Sequence, residues 1–142
     1  MHSDISIGNK IQILTGIDLI EIERVKKIIK RHGNSFLRKV FTEKEIEYCN
    51  AKKSSGVQSI AARFSAKEAV LKALGTGLTQ GISLKDIEII NDFSGKPVVN
   101  LYGKAMEKYE NLGGFCIEIS LTHCKDYAAA QAAILVNNKG KI

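Results

Sequence analysis

An α+β fold, with a mostly antiparallel sheet packed against a long central helix, is what this 142-residue chain predicts. Three observations lead there. Ile11, Ile13, Thr15, Ile17 and Leu19 alternate with Gln12, Leu14, Gly16 and Asp18, the period of a strand. Around residues 60–78 the period changes to about 100° per residue, that of an α-helix. Ile60, Phe64, Leu71, Leu74 and Leu78 then form one apolar stripe, and Ala62, Ala66, Ala69 and Ala73 a second stripe of small side chains. Later strand-like runs are joined in pairs by the short turns N-D-F-S-G-K and H-C-K, so they pair antiparallel. Helices followed by hairpins give the order β-α-α-α-β-β-α-β-β, an α+β arrangement.

The elements follow in chain order. Residues 1–9 read as a loose leader. Gly16, beside Asp18 at the end of the first strand, lets a ligand or a backbone approach closely. A helix from about Glu21 to Arg31 buries Ile22, Val25 and Ile29. Its acidic start (Glu21, Glu23) and basic end (Lys26, Lys27, Lys30, Arg31) suit the helix dipole. Arg24 falls opposite the buried stripe and is expected to be exposed. His32-Gly33-Asn34 breaks this helix. Thr42-x-x-Glu45 is a capping box for a short helix through Cys49. A polar loop, Lys52 to Gly56, leads into the long helix, which Gly75 closes as a C-cap. Asp86–Asn91 and Pro97–Tyr102 form a hairpin, Gly103 to Leu112 a short helix, and Phe115–Thr122 with Asp126–Val136 a second hairpin. The tail, residues 137–142, is expected to fray. No repeat, low-complexity tract or linker interrupts this order, so a single domain over 1–142 is expected.

Composition narrows the function classes. Hydrophobic residues make up 44% and charged residues 25%, ordinary for a globular chain and against disorder. A net charge of +6 favours an acidic partner. Nucleic acid is not expected as that partner: tryptophan is absent, aromatics are 6%, and no aromatic RNA-binding strand is present. Cys49, Cys116 and Cys124 are widely spaced, with no C-x-x-C pair for zinc. An odd cysteine count with no signal-peptide pattern points to reduced thiols in a cytoplasm. No apolar run approaches the length of a membrane span.

The long helix carries the chemistry. Glu68 and Lys72 lie four residues apart on one face, between the two apolar stripes. Lys67 falls on the leucine stripe itself, flanked by Arg63. Charge on a helix covered from two sides needs partners. Asp18 ends a strand and Glu68 sits mid-helix, so both can reach one cleft and offer hard oxygens to Mg²⁺ beside phosphate. The plainer alternatives are an Asp18 that caps the next helix and a Glu68–Lys72 surface pair. Arg63, Lys67 and Lys72 read as a cation cluster able to clamp a pyrophosphate, or as snorkelling stems. Gly75-Thr76-Gly77 has a phosphate-loop composition but follows a helix instead of opening one. His123, at a strand end, is not part of a hydrolase triad with Ser120 or Thr122, since no nucleophile elbow surrounds either hydroxyl.

Five segments together resemble the 4′-phosphopantetheinyl transferases, specifically the holo-acyl-carrier-protein synthase type. They are G-I-D-L-I-E-I-E-R (Gly16–Arg24), F-T-E-K-E-I-E-Y-C (Phe41–Cys49), R-F-S-A-K-E-A-V-L-K-A-L-G-T-G (Arg63–Gly77), S-G-K-P-V-V (Ser94–Val99) and S-L-T-H-C-K-D-Y-A (Ser120–Ala128). The likeness runs from about Ile11 to Leu135. Thr122 stands where the family more often has Ser, and a hydroxyl is retained. The resemblance implies transfer of phosphopantetheine from coenzyme A to a serine of an apo acyl carrier protein, in support of fatty acid biosynthesis. Adenosine 3′,5′-bisphosphate is the other product. It implies Mg²⁺ on Asp18 and Glu68, and Lys72 at the pyrophosphate or in proton transfer. It further implies Gly75, Thr76, Gly77 and His123 along the coenzyme pocket, and Arg24 and Arg63 in docking the acidic carrier. A homotrimer with active sites between subunits is implied too, in which one stripe of the long helix would face a neighbour. A non-catalytic basic module for RNA or an acidic protein, and a metal-dependent phosphohydrolase, are the competing readings of the same residues.

Overall fold

The computed structural model describes residues 10–52, 55–76 and 81–138. Two antiparallel sheets carry the strands. In the larger one, β5 (Tyr127–Asn137) lies between β1 (Ile11–Glu21) and β4 (Gly114–His123). The smaller one is the hairpin of β2 (Ile87–Asn91) and β3 (Pro97–Leu101). Helices α1 (Ile22–His32), α2 (Asn34–Val40), α3 (Glu43–Ala51), α4 (Gly56–Leu74) and α5 (Gly103–Asn111) complete the chain. The antiparallel α+β expectation therefore holds, with α4 as its centre.

Small side chains let α4 lie close on the sheet. Ala66, Ala69 and Ala73 of the helix and Ala130 and Ala132 of β5 are buried in one cluster with Ile119, Ile134 and Val136. Gly16 of β1 sits where the two backbones nearly touch: a Cβ there would lie 1.9 Å from Ala69 O and 2.7 Å from Ala73 N. The close approach expected at Gly16 is thus made by the helix backbone. On the opposite side Val70, Leu71 and Leu74 are buried, all three in the cluster that includes Ile87 and Ile89 of β2. The alanine stripe and the Leu71–Leu74 end of the other stripe are covered inside the chain, whereas Ile60 and Phe64 are half-buried.

The uncovered apolar surface is on the sheet. Along β1 the even positions from Leu14 to Ile20 turn toward α4, and Ile11, Ile13, Ile17 and Leu19 are 62–69% exposed on the other face. Burial here follows Gly16, where the α4 backbone leaves no room for a Cβ, and not the larger side chains at the odd positions.

Three boundaries differ from expectation. Gly33 ends α1 with φ 56°, its N–H donating to Ile29 O, yet the chain re-enters a helix at once as α2. Helix α4 starts at Gly56, a residue expected to close the polar loop before it. Asn137 closes β5, and Asn138 N donates to Lys10 O at 2.9 Å. The remaining tail residues, the leader 1–9, Gly77 and Leu78 lie outside the described residues.

The capping box forms and does more than cap. Thr42 N donates to Glu45 Oε1 at 2.9 Å and Glu45 N to Thr42 Oγ1 at 3.3 Å. The same carboxylate accepts Ile89 N at 2.9 Å and Lys67 Nζ at 2.7 Å. Lys67 Nζ also donates to Leu84 O at 2.9 Å and to Ile87 O. Both charged side chains are 0% exposed. Burial lowers the Lys67 pKa and Glu45 opposes that shift. Lys67 therefore leaves the expected cation cluster and ties α3, α4 and β2 together.

Candidate active site

Asp18 and Glu68 reach one cleft of about 260 Å³, lined also by Leu19, Ile20, Arg24, Ile28 and Phe64. β1 presents Asp18 on the inner face because Gly16, two residues earlier, already lies against α4. Asp18 does not cap the next helix: the N-cap of α1 is Glu21, with no side-chain cap bond. Its carboxylate meets α4 instead. Ser65 Oγ donates across to Asp18, lying 2.9 Å from its carbonyl O and 3.1 Å from Oδ2. Lys72 Nζ donates to Ile17 O at 2.8 Å and to Asp18 Oδ1 at 3.2 Å. Lys72 thus pairs with Asp18 across the helix–strand boundary, where a Glu68–Lys72 surface pair was the plainer alternative.

Glu68 is half-buried one turn after Ser65. Burial and the Asp18 charge hold its carboxyl above the usual range, and Lys72 partly offsets them. Two carboxylates facing one cleft, one of them with its proton affinity raised by the other's charge, are suited to sharing a cation. No group of three or more His, Cys, Asp or Glu side chains suited to a metal occurs among the described residues. Magnesium needs no such cage. One or two carboxylates suffice when phosphate oxygens and water complete the octahedron. The donor set fits that ion.

The remaining expected residues fall at different distances from the cleft. Arg24 is exposed and lines it. Gly75 caps α4 in the left-handed conformation, φ 78°, its N–H donating to Leu71 O and Lys72 O, and Thr76 behind it is buried. This pair lies one turn past Lys72. His123 is exposed at the end of β4, in register with Ala128, which pairs with Ile20. It is two strand spacings, roughly 10 Å, from β1. One chain does not bring it into the Asp18–Glu68 cleft. Arg63 is 5% exposed. Its guanidinium lies 4.0 Å from the Tyr48 ring centroid and donates to Asn91 Oδ1. Among the described residues no carboxylate lies within ion-pair range of it.

Sequence reasoning passed over Ser65 and the burial of Glu45. Ser65 carries a weak signal, a hydroxyl within a run of alanines one turn before the carboxylate. A wider depression of about 590 Å³ between Arg38, Phe41, Glu43, Ile46, Glu47, Asn50 and Lys85 contains none of the expected residues.

Comparison with known proteins shows the family. Residues 15–132 match the family model described as the 4′-phosphopantetheinyl transferase superfamily. A holo-[acyl-carrier-protein] synthase of Ruminiclostridium cellulolyticum is 48% identical over 130 residues, covering 92% of this chain and 97% of the relative. One from Syntrophus aciditrophicus is 52% identical over 116 residues, covering 82% and 90%. The crystal structure of the Helicobacter pylori holo-[acyl-carrier-protein] synthase in complex with coenzyme A superposes with a TM-score of 0.75. It is 30% identical, and the match covers 85% of this chain and 99% of that one.

Proposed function

Since the chain belongs to the 4′-phosphopantetheinyl transferase superfamily, we propose that it transfers 4′-phosphopantetheine from coenzyme A to a serine of apo acyl carrier protein. The observation that carries this is the Asp18–Glu68–Lys72 cleft with Arg24 at its rim. The serine oxygen attacks the phosphorus that bears the pantetheine arm. The bond from that phosphorus to the bridging oxygen breaks, and adenosine 3′,5′-bisphosphate leaves. The pyrophosphate carries negative charge at the reacting centre, and the serine hydroxyl gives up its proton to Lys72, a carboxylate or water as the new bond forms, so positioning and neutralisation supply the catalysis.

Asp18 and Glu68 would hold Mg²⁺, which supplies charge neutralisation at the pyrophosphate. Lys72, with a side chain 54% exposed, reaches Asp18 from the open side and is free to swing its ammonium onto a phosphate oxygen. Gly75 and Thr76 would border the coenzyme beyond it, with Gly77 following. Arg24 presents positive charge beside the reaction centre, where an acidic carrier would dock and be steered.

A trimer belongs to the same proposal. The apolar outer face of β1 needs cover, and a second copy would supply it. An active site completed across that contact accounts for His123 lying two strands from Asp18 within one chain. Arg63, buried without a carboxylate, would act on the coenzyme or carrier through the surface it underlies. No helix of the described residues is long and apolar enough to cross a membrane, and the reaction belongs in the cytoplasm. RNA or a non-catalytic role finds no support in relatives that match over nearly the whole chain.

The test is the mass of an apo acyl carrier protein after incubation with this protein, coenzyme A and Mg²⁺. A gain of one phosphopantetheine is expected, absent without metal and absent with Glu68→Ala. No gain with several carriers and a folded sample would overturn the reading. Release of phosphate from coenzyme A without carrier would replace it with a phosphohydrolase.

A further inference from the structure

We propose that Ser65 is a positioning residue, which sets the carboxylate of Asp18 for cation binding. The inference rests on the transferase reading above. Ser65 is fully buried on α4. A helical serine commonly bonds a carbonyl of its own preceding turn. Here the hydroxyl spans to β1 instead, at 2.9 Å from Asp18 O and 3.1 Å from Asp18 Oδ2. The single hydroxyl hydrogen is shared between the two acceptors, so one atom ties the backbone and the side chain of Asp18 to α4. Tying Oδ2 to the same point as the carbonyl restricts both side-chain torsions of the aspartate, and Oδ1 is left for the cleft.

The other donor to this carboxylate is of a different kind. Lys72 is a long side chain, 54% exposed, and its ammonium can leave. Ser65 has one torsion and no exposed surface, so it stays. Ser65 and Glu68 are three residues apart on one rigid helix and therefore on one face. The helix carries one carboxylate directly and holds the other, borne by β1, through Ser65, so α4 takes part in setting both ends of the pair. The contact exists because Gly16 lets β1 come near enough for a one-carbon side chain to bridge. Hydrogen bonds to a ligating carboxylate typically change metal affinity 10- to 100-fold. A single neutral donor to a carboxylate that is itself 16% exposed belongs at the lower end.

Mn²⁺ binding, read from the electron paramagnetic resonance signal of the free ion, tests this with coenzyme A present and no carrier protein. Ser65→Ala is expected to weaken Mn²⁺ binding about 10-fold. In the transfer assay it should raise the Mg²⁺ concentration for half-maximal rate by a similar factor and leave the rate at saturating Mg²⁺ near wild type. Ser65→Cys keeps the side-chain length but donates weakly, and should fall between the two. Melting curves without metal establish that each variant is folded. Wild-type affinity in Ser65→Ala, or Ser65→Cys equal to wild type, would overturn the role of Ser65 while leaving the transferase intact. A wild-type protein that neither binds Mn²⁺ nor transfers would overturn both.

Discussion

Replacing Lys67 by Met removes the cation at the α3–α4–β2 junction and keeps most of the side chain's length. Lys67 Nζ donates to Glu45 Oε1, Leu84 O and Ile87 O, and neither charged side chain has any exposed surface. In the variant Glu45 retains the Thr42 and Ile89 N–H groups but no counter-charge, and two carbonyls lose their donor. Breaking one side of a buried ion pair costs about 3–5 kcal/mol. At about 3 °C per kcal/mol for a chain of this length, the melting temperature should fall by about 10–15 °C. Glu45→Gln alone strands the ammonium and should cost a similar amount.

Removing both charges is different. Glu45→Gln with Lys67→Met leaves no buried charge, and the glutamine oxygen still accepts one of the backbone N–H groups. The double variant should therefore lose less than the sum of the singles, by about 2 kcal/mol or more. Urea unfolding followed by far-ultraviolet circular dichroism measures all three, at one fixed protomer concentration because an oligomer's apparent stability depends on it. A cost below about 1 kcal/mol for Lys67→Met, the range of an exposed pair, would refute the reasoning, as would simple additivity.

Three further outcomes follow from the site and the sheet. Gly16→Ala places a methyl against the α4 backbone, at 1.9 Å from Ala69 O. It should cost about 1–3 kcal/mol or more and lower transfer even in excess Mg²⁺, read by melting and carrier mass, because Asp18 moves with the strand. Glu68 has a folded pKa above its unfolded one, through burial and Asp18. Stability from this group therefore falls as pH rises from the unfolded value through the folded one. Glu68→Gln should accordingly unfold at higher urea than wild type at pH 7 without metal, and lose that advantage near pH 4, about the unfolded value. Ile13→Asp with Ile17→Asp puts charge on the exposed face of β1. It should yield monomers in sedimentation velocity with secondary structure retained, and a trimer that survives would exclude this face as the contact.

Period and punctuation made most of the fold legible. The alternation of β1, the capping box at Thr42, the C-cap at Gly75 and both hairpin turns are local signals, and each stands where its residues indicate. Helix α2 was missed because Gly33 does terminate a helix, and nothing local says that another begins at the next residue. The face of β1 that turns inward was not legible either, because it is set by contact with a helix 50 residues away in sequence. For the site, Lys67 on an apolar stripe correctly signalled a buried partner. The identity of that partner, Glu45, depended on how α3 docks. Asp18 shows the same limit. Its local options favoured a cap, and only the packing of β1 on α4 gives it Ser65, Lys72 and Glu68.

Among the described residues the first strand pairs along its whole length with the last, from Ile11 opposite Asn137 to Glu21 opposite Tyr127. Until β5 has been synthesised, β1 has no partner strand, and the alanine face of α4 has no complete sheet beneath it. The local helices can form early, but the layer that holds Asp18 against Ser65 assembles only once β5 is available to pair with β1. Its rate is governed by closing a loop of nearly the entire polypeptide. Truncation from the C-terminus should therefore abolish the cleft, although every residue that lines it lies in the first half of the chain.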